Sequence, residues 1–183
     1  FPTRRSSDLA TATLTANLAF GTGATPVTLT VPSGATLNTA TFAVQFAGDN
    51  SIFNLQNGAT LATQNSDGIN GSSALPNTTG AIQITSGTPA SVAINYGTAV
   101  NYIFGNRATF ALCSFGAMGN KPAITQAANI TVNTGAGNWV LNNPMTVSNA
   151  LTLQAGILEL QNSLTLSGVA GLSLIQNAST LWM

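Results

Sequence analysis

Three carboxylates in the body of the chain are the side chains best placed to do acid–base chemistry. Asp49 lies in a Gly-Asp-Asn turn, Asp67 in a Ser-Asp-Gly turn, and Glu159 at the centre of a Leu-Glu-Leu triplet. Hydrolysis of a glycosidic bond usually needs two carboxyl groups facing each other across the substrate. The three residues are far apart in the sequence and nothing predicts that they converge. We therefore expect solvated turn or surface residues and no catalytic site.

Metal and nucleophile chemistry have fewer candidates still. The chain has no His and one Cys, Cys113, which excludes a zinc site, an internal disulfide and a His-activated thiol. We expect Cys113 to be a small buried apolar side chain. Asn65, Asp67 and Gly68 resemble part of a calcium loop, but further acidic ligands are missing and a turn is the simpler interpretation. The sequence predicts no metal and no cofactor.

Aromatic residues and glycosylation sequons are the remaining candidates for binding or modification. Tyr96, Tyr102 and Phe104 cluster in sequence and could stack on sugars, although such residues more often fill a core. Asn-x-Ser/Thr sequons occur at Asn70, Asn77, Asn129 and Asn177. In a chain rich in Asn and Thr such sequons arise by chance, so they predict no modification.

Low charge is the most unusual property of the chain. Only 4% of its 183 residues are charged, with four Lys and Arg and four Asp and Glu, whereas ordinary domains are about a quarter charged. Such a surface is not basic enough to hold nucleic acid phosphates. Disorder is also excluded, because disordered chains combine low hydrophobicity with high charge. The longest apolar runs are too short to span a membrane as a helix.

The first nine residues, FPTRRSSDL, differ from the rest, since they contain three of the eight charges. They resemble the conceptual translation of a sequencing adapter, and we exclude them from the fold. We interpret residues 10–183 as a single block, less regular over 10–128 and most regular over 129–183. We expect this block to be truncated at both ends.

A short repeat dominates the C-terminal part. Triplets of the pattern apolar-polar-apolar recur from residue 130 and fall into three interleaved series. Ile130, Leu151 and Leu172 begin triplets at equal intervals; the other series begin at Trp139, Leu158 and Thr180, and at Met145 and Leu164, with similar intervals. Three short strands in each repeat of about 20 residues are typical of a solenoid coil with three faces.

Alternation within a triplet predicts which side chains are buried. Leu151 and Leu153 should point inward and Thr152 outward. The gaps between triplets are too short for a crossover helix, so parallel strands require coiling. Equivalent residues on successive coils lie about 4.8 Å apart, and a charged column would cost about 1 kcal/mol for each neighbouring pair even in water. Stacking thus explains the missing charges.

The N-terminal half is less regular but contains similar parts. A Gly-Ala-Thr-Leu motif occurs at 34–37 and again at 58–61, and residues 64–79 are apolar-poor and predict a loop. The predicted strands are 13–15, 27–31, 42–46, 52–55, 81–84, 91–96, 101–104 and 109–112. The fold class predicted is all-β, a right-handed parallel β-helix with three strands per coil. An antiparallel β-sandwich is the alternative, with a hairpin whose turn is Asn57-Gly58.

Residues 58–71, 79–88, 101–106 and 129–168 resemble the β-strand repeats of large secreted proteins of Bacteroidota. Those proteins are described as autotransporter-like or adhesin-like and often carry a sorting domain for type IX secretion. The resemblance implies a right-handed parallel β-helix in an extracellular or cell-surface protein anchored to the outer membrane. Its implied partners are neighbouring repeats of a longer chain and cell-surface glycans or matrix.

We therefore expect a structural or adhesive segment rather than an enzyme. Two alternatives remain at this stage. One is a polysaccharide-active β-helix enzyme related to pectate lyases, which needs converging carboxylates. The other is a binder of ice or carbohydrate surfaces through rows of Thr, which needs two outward Thr positions on every strand, whereas the triplets offer mostly one.

Overall fold

The computed structural model describes residues 10–20, 26–47, 50–71, 76–85, 91–105, 121, 123–167, 171–174 and 180–182. These residues form fifteen strands and no α-helix. The strands are β1 (Thr11–Thr13), β2 (Leu18–Phe20), β3 (Thr28–Val31), β4 (Thr36–Asn38), β5 (Val44–Phe46), β6 (Ile52–Leu55), β7 (Thr60–Thr63), β8 (Ile82–Ile84), β9 (Ala93–Tyr96), β10 (Asn101–Phe104), β11 (Gln126–Leu141), β12 (Met145–Leu160), β13 (Leu164–Leu166), β14 (Gly171–Leu174) and β15 (Thr180–Trp182).

One continuous parallel sheet surface runs the length of the described molecule, and we call it the first face. It consists of β1, β4, β7, β10, residues 129–132 of β11, residues 150–153 of β12, and β14. Each strand pairs in parallel with the next in this order. From β1 to β10, successive first-face strands are separated along the chain by two strands that belong to other sheets, so the chain must coil to bring them together.

Two further parallel sheets complete the N-terminal coils. The second sheet contains β2, β5 and β8, and the third sheet contains β3, β6 and β9. Every third strand along the chain therefore joins the same sheet, as a coil with three strands per turn requires. The predicted parallel β-helix is confirmed, and its right-handed sense stays a prediction. The alternative is wrong, because β6 and β7 do not pair across Asn57-Gly58 but join different sheets.

The C-terminal coils confirm most of the predicted register. Strand β12 pairs along its length with three separate strands of the last coil: β13 beside 145–147, β14 beside 150–153 and β15 beside 157–159. Ile130, Leu151 and Leu172 lie in register, as do Met145 and Leu164. One prediction is off by one residue, since Leu158 pairs with Leu181 rather than Thr180.

The length of a coil varies more than the sequence pattern suggests. On the first face, Thr36 pairs with Thr60 in the N-terminal part, and a somewhat shorter coil brings Asn129 beside Ala150 in the C-terminal part. The coil from Thr60 to Asn101 is much longer than either of these, because a loop separates β7 from β8. Seven described strands on the first face extend about 29 Å along the axis at about 4.8 Å each.

Several strand boundaries in the N-terminal half differ from those predicted. The first strand is β1 at Thr11–Thr13 rather than 13–15, and β2 was not predicted from the sequence. The two Gly-Ala-Thr-Leu motifs lie in register, with Thr36 beside Thr60 and Leu37 beside Leu61. The described part of 64–79 contains no strand, in agreement with the predicted loop. The predicted strand at 109–112 and the excluded residues 1–9 lie outside the described residues.

The core is a set of apolar columns along the inside of the coil. Leu151 and Leu153 are buried while Thr152 between them is partly exposed, which confirms the predicted alternation. The rings of Phe20 and Phe46 stack with centroids 5.7 Å apart, and Phe53 packs against Phe46 at a tilt with centroids 6.1 Å apart. Each coil thus covers the apolar side chains of the coils beside it, which is how a solenoid gains stability from neighbours.

Within the described residues, we find no helix with the length and apolar character needed to cross a membrane.

Candidate functional site

The carboxylates singled out in the sequence do not form a pair among the described residues. Asp67 follows β7, the third strand of the first face, whereas Glu159 lies in β12, which carries the sixth. Three strand spacings, about 14 Å along the axis, separate these strands. Glycosidases place their carboxyl groups about 5–10 Å apart. Asp49 lies outside the described residues, as do Cys113 and the sequon at Asn177.

Asp67 and Asn65 form a turn. The Asp67 amide N–H donates to Asn65 Oδ1 at 3.0 Å, and the Gly68 N–H donates to the Asn65 carbonyl at 3.0 Å. This is the local turn that Asn and Asp side chains favour. In the described part of the chain, no three acidic, His or Cys side chains come close enough to hold a metal ion. The calcium-loop resemblance is therefore explained by turn formation.

Glu159 is a surface residue. Its Oε1 accepts a hydrogen bond from Gln161 Nε2 at 2.9 Å, two residues along the chain. The contact is exposed to solvent, so we assign it no catalytic or stabilising role.

Two of the three clustered aromatic residues are part of the core, and the third, Tyr96, is partly buried and packs against it. Tyr102 and Phe104 are buried, and the rings of Phe104 and Trp139 lie 5.1 Å apart. Tyr96 packs edge-on against Phe53 at 6.1 Å, and its hydroxyl donates to Asn70 Oδ1 at 2.6 Å. Burial raises the pKa of Tyr102, and burial together with Tyr102 raises the pKa of Tyr96. Neither Tyr102 nor Phe104 is available to stack on a sugar.

A buried polar bracket holds the long loop between β7 and β8 against the second sheet. Asn77 and Ile84 exchange two backbone hydrogen bonds, at 2.7 and 3.1 Å. Asn77 Nδ2 donates to the carbonyls of Asn70 and Ile82, and Gln83 Nε2 donates to the Gly80 carbonyl. Sequence reasoning missed this bracket, because it noted Asn70 and Asn77 only as sequons. Both residues are fully buried, so neither sequon is accessible in the folded chain.

Uncharged ladders of amide side chains connect neighbouring coils on the outside of the first face and of the third sheet. On the first face, Asn129 Nδ2 donates to Asn101 Oδ1 at 2.6 Å. Asn149, one residue before the first-face segment of β12, donates from its Nδ2 to Asn129 Oδ1 at 2.7 Å. On the third sheet, Asn95 Nδ2 donates to Asn54 Oδ1 at 2.7 Å. These are the side-chain bonds between neighbouring strands that stacking of like amides permits.

The first face has two outward positions on each strand, not one as the triplets suggested. Its strands are mostly four residues long, and their first and third residues are at least partly exposed from β1 to β12. The first column is Thr11, Thr36, Thr60, Asn101, Asn129 and Ala150; the second is Thr13, Asn38, Ala62, Ile103, Thr131 and Thr152. This flat uncharged surface, which we call the outer first face, is the most regular feature available to a partner.

A small pocket of about 110 Å³ lies beside the end of β9. Residues 96–98 and 123–126 line it. Drug-sized ligands occupy about 300 Å³ or more, and no described acidic or basic side chain lines the pocket. We assign no ligand to it.

Comparisons of the chain with protein-family models, with curated proteins and with solved structures find no match.

Proposed function

We propose that this chain is a non-catalytic structural or adhesive segment of a secreted or cell-surface bacterial protein. The observation that carries the proposal is the unbroken series of parallel first-face pairs from β1 to β14, with uncharged ladders on the outside. A coil of this kind resists bending because every strand between the two ends of the first face is bonded to a neighbour on each side. It is suited to extend a protein from a surface and to present side chains at a fixed spacing.

Location and role are tested separately. Antibodies against the purified chain should label intact cells of the source bacterium, and protease treatment of intact cells should remove the label. Exclusive labelling after permeabilisation would reject the surface role. Single-molecule pulling should give successive small extensions, because a solenoid can open coil by coil. One all-or-none extension would contradict the role of a stacked spacer.

Binding of carbohydrate or ice surfaces is a second candidate function, supported by the two outward columns of the outer first face. Thr fills both columns only in β1, and the other strands carry Thr at one outward position or, in β10, at neither. Thr supplies a hydroxyl and a methyl group at each of several positions spaced by about 4.8 Å along the axis. The face is uncharged, so a neutral hydroxyl-rich surface suits it better than a charged polymer. Ile103, 37% exposed, adds an apolar contact at the centre.

Replacing both Thr131 and Thr152 by Lys tests this second function. The matched control replaces Gln45 and Asn54, which lie outward on the second and third sheets, by Lys. We expect the first pair alone to abolish retention on neutral polysaccharide or ice. Equal retention of both variants, or no retention of the parent chain, would reject surface binding while leaving the structural role intact.

The polysaccharide-active enzyme is not proposed. The only carboxylate side chains among the described residues are Asp67 and Glu159, and no described contact joins them.

A further inference from the structure

The corner between β6 and β7 contains a reactive dipeptide, Asn57-Gly58. The Ala59 N–H donates to the Gln56 carbonyl at 3.0 Å, and Gly58 has a φ of 78°, so the corner is a tight turn with a left-handed third residue. Both Asn57 and Gly58 are exposed. The chain has one other Asn-Gly dipeptide, Asn70-Gly71.

Asparagine followed by glycine loses ammonia by an intramolecular reaction. The backbone nitrogen of the glycine gives up its proton and attacks Cγ of the asparagine, forming a carbon–nitrogen bond. The bond from Cγ to the amide nitrogen then breaks and ammonia leaves, so that a cyclic imide remains. Water opens either carbonyl of the imide and yields aspartate or isoaspartate. Glycine favours the reaction because it has no side chain to hinder attack, and no other reactant than water is needed.

A single residue of the next coil, Ala99, holds both reacting groups at this corner through its two backbone polar groups. The Ala99 N–H donates to Asn57 Oδ1 at 2.9 Å, and the Gly58 N–H donates to the Ala99 carbonyl at 2.7 Å. Gly97 also lies so close that a Cβ there would collide with Asn57 Oδ1. Attack requires the Gly58 nitrogen and the Asn57 side chain to leave these positions. The corner must therefore open before the reaction can proceed.

We propose that Asn57 is the site at which the folded coil undergoes deamidation, and that opening of its contacts with Ala99 sets the rate. The product would alter the coil at a sensitive place. Isoaspartate adds a methylene to the backbone of the corner, where the Gly34 N–H donates to the Gly58 carbonyl at 3.0 Å. Both products add a negative charge to an uncharged corner.

Asn70 is protected more completely and serves as an internal reference. It is fully buried, its Oδ1 accepts from the Tyr96 hydroxyl, and its carbonyl accepts from Asn77. Any Cβ on Gly71 would collide with the backbone of Thr79, so this turn has no room to rearrange. Reaction at Asn70 requires the whole bracket to open.

The test compares the folded chain with the same chain in urea at one mildly alkaline pH. Peptide mass spectrometry follows the replacement of NH₂ by OH at each asparagine, and isoaspartate is resolved chromatographically. In urea, the two Asn-Gly sites should react at similar rates. In the folded chain, Asn57 should react at least about tenfold more slowly than it does in urea, because only the open state of the corner reacts. Within the folded chain, Asn57 should still react faster than Asn70. An Asn57 rate equal to that in urea, or a faster reaction at Asn70, would overturn the proposal.

Two variants test the role of the Ala99 contacts. Ala99→Pro removes the N–H donor to Asn57, and we expect a reaction at Asn57 that is about threefold to tenfold faster, as the loss of about one hydrogen bond predicts. If this variant does not fold, Gly97→Ala serves instead. It removes no donor, but its Cβ would collide with Asn57 Oδ1 and lie 2.8 Å from the Asn57 backbone nitrogen, so it displaces the Asn57 corner and should give the same acceleration. Gly105→Ala is the control, because a Cβ there makes only ordinary contacts, 3.5 Å from Gln64 Cγ. Unchanged Asn57 rates in folded Gly97→Ala would contradict the proposal.

Discussion

Individual residues in this protein are constrained mainly by what lies one coil above and below. Gly34 and Gly58 occupy the same corner of successive coils and have the same φ of 78°. The Gly34 N–H bonds to the Gly58 carbonyl, and the Gly58 N–H bonds to the carbonyl of Ala99. A side chain at such a corner must fit both its own backbone conformation and the neighbouring corner.

Gly58→Ala should destabilise the fold by about 2–4 kcal/mol, because a left-handed conformation strains alanine and the new Cβ meets a neighbour. That Cβ would lie 2.5 Å from Ser33 Oγ. Gly105→Ala, at an open position, should stay within about 0.5 kcal/mol of the parent. Urea unfolding followed by circular dichroism measures both. Similar stabilities for the two variants would contradict the corner assignment.

Alkaline pH should weaken the fold through its tyrosines. Burial raises the pKa of Tyr102 in the folded chain, so above about pH 10 the unfolded chain loses that proton first. The stability that this group contributes is complete below about pH 10 and falls as pH rises, by up to about 1.4 kcal/mol per pH unit.

Tyr102→Phe should therefore show a shallower loss of unfolding free energy between about pH 10 and 12. Desolvation lowers the pKa of Lys121, which acts in the opposite sense. For this reason the contribution of Tyr102 is measured as the difference in unfolding free energy between the parent chain and Tyr102→Phe at each pH. Parallel pH profiles for the two proteins would show that Tyr102 ionises equally in both states.

Each strand of the coil is specified by two different requirements. Inward residues must be apolar and must fit the column formed by neighbouring coils. Outward residues must tolerate an identical or similar neighbour about 4.8 Å away. Amides and hydroxyls meet the second requirement, as the bonded series Asn101, Asn129 and Asn149 demonstrates.

Leu151→Ala should cost about 2–5 kcal/mol, the range for removing a buried leucine side chain. Leu151 is 1% exposed and lies in register between Ile130 and Leu172. Its neighbour Thr152 faces outward, and Thr152→Ala should change stability by about 0.5 kcal/mol or less. Thermal unfolding of the pair measures the contrast. A larger loss for Thr152→Ala would reverse the assigned inside and outside of β12.

Charges placed on adjacent coils should repel one another. A double-mutant cycle compares Asn101→Asp, Asn129→Asp and the variant that carries both changes. The cycle should give an unfavourable coupling free energy of about 1 kcal/mol between the two aspartates at neutral pH. Like charge raises the pKa of each aspartate in the folded state, so the coupling appears as pH rises and vanishes in acid, where both are protonated. Asn101→Asp with Asn149→Asp is the control, two coils apart. Equal couplings in the two pairs would contradict the ladder.

The described residues form successive coils in which contacts join residues that are far apart in the sequence, such as Thr60 and Asn101. The stability of the fold is therefore expected to depend on the docking of each coil on the next rather than on any local element. The loop between β7 and β8 lengthens one coil without interrupting the first face. Loops of this kind are tolerated because they leave the strand pairing unchanged.

Engineered disulfides test the coil directly. In a Cys113→Ser background, Thr131→Cys with Thr152→Cys should oxidise readily, because these residues are register partners on adjacent coils at a spacing within disulfide range. Asn38→Cys with Thr152→Cys should not, since four strand spacings, about 19 Å, separate them. Non-reducing electrophoresis and peptide mass spectrometry identify the bond. Failure of the first pair, or oxidation of the second, would contradict the parallel coil.

The amino-acid pattern alone was enough to predict the coil, the three strands in each coil and the inside and outside of the regular strands. These follow from the alternation of apolar and polar residues and from the even spacing of Ile130, Leu151 and Leu172, which are local patterns carried by every coil. The coil also explained the low charge already seen in the composition, because stacking penalises repeated charge. Adhesion, surface location and the absence of catalysis stay proposals.

The exact register, the two outward columns and the bracket around Asn77 became visible only in the folded chain. Irregularities between Ala127 and Asn129 and between Asn133 and Asn138 shift the pairing of β11 with β12. The amino-acid composition of the two strands does not reveal these shifts. In the same way, the triplet pattern misplaced the partner of Leu158 by one position. Pairing between residues so distant in the sequence depends on how each corner turns, and that geometry is set by contacts with the neighbouring coil rather than by the corner residues alone.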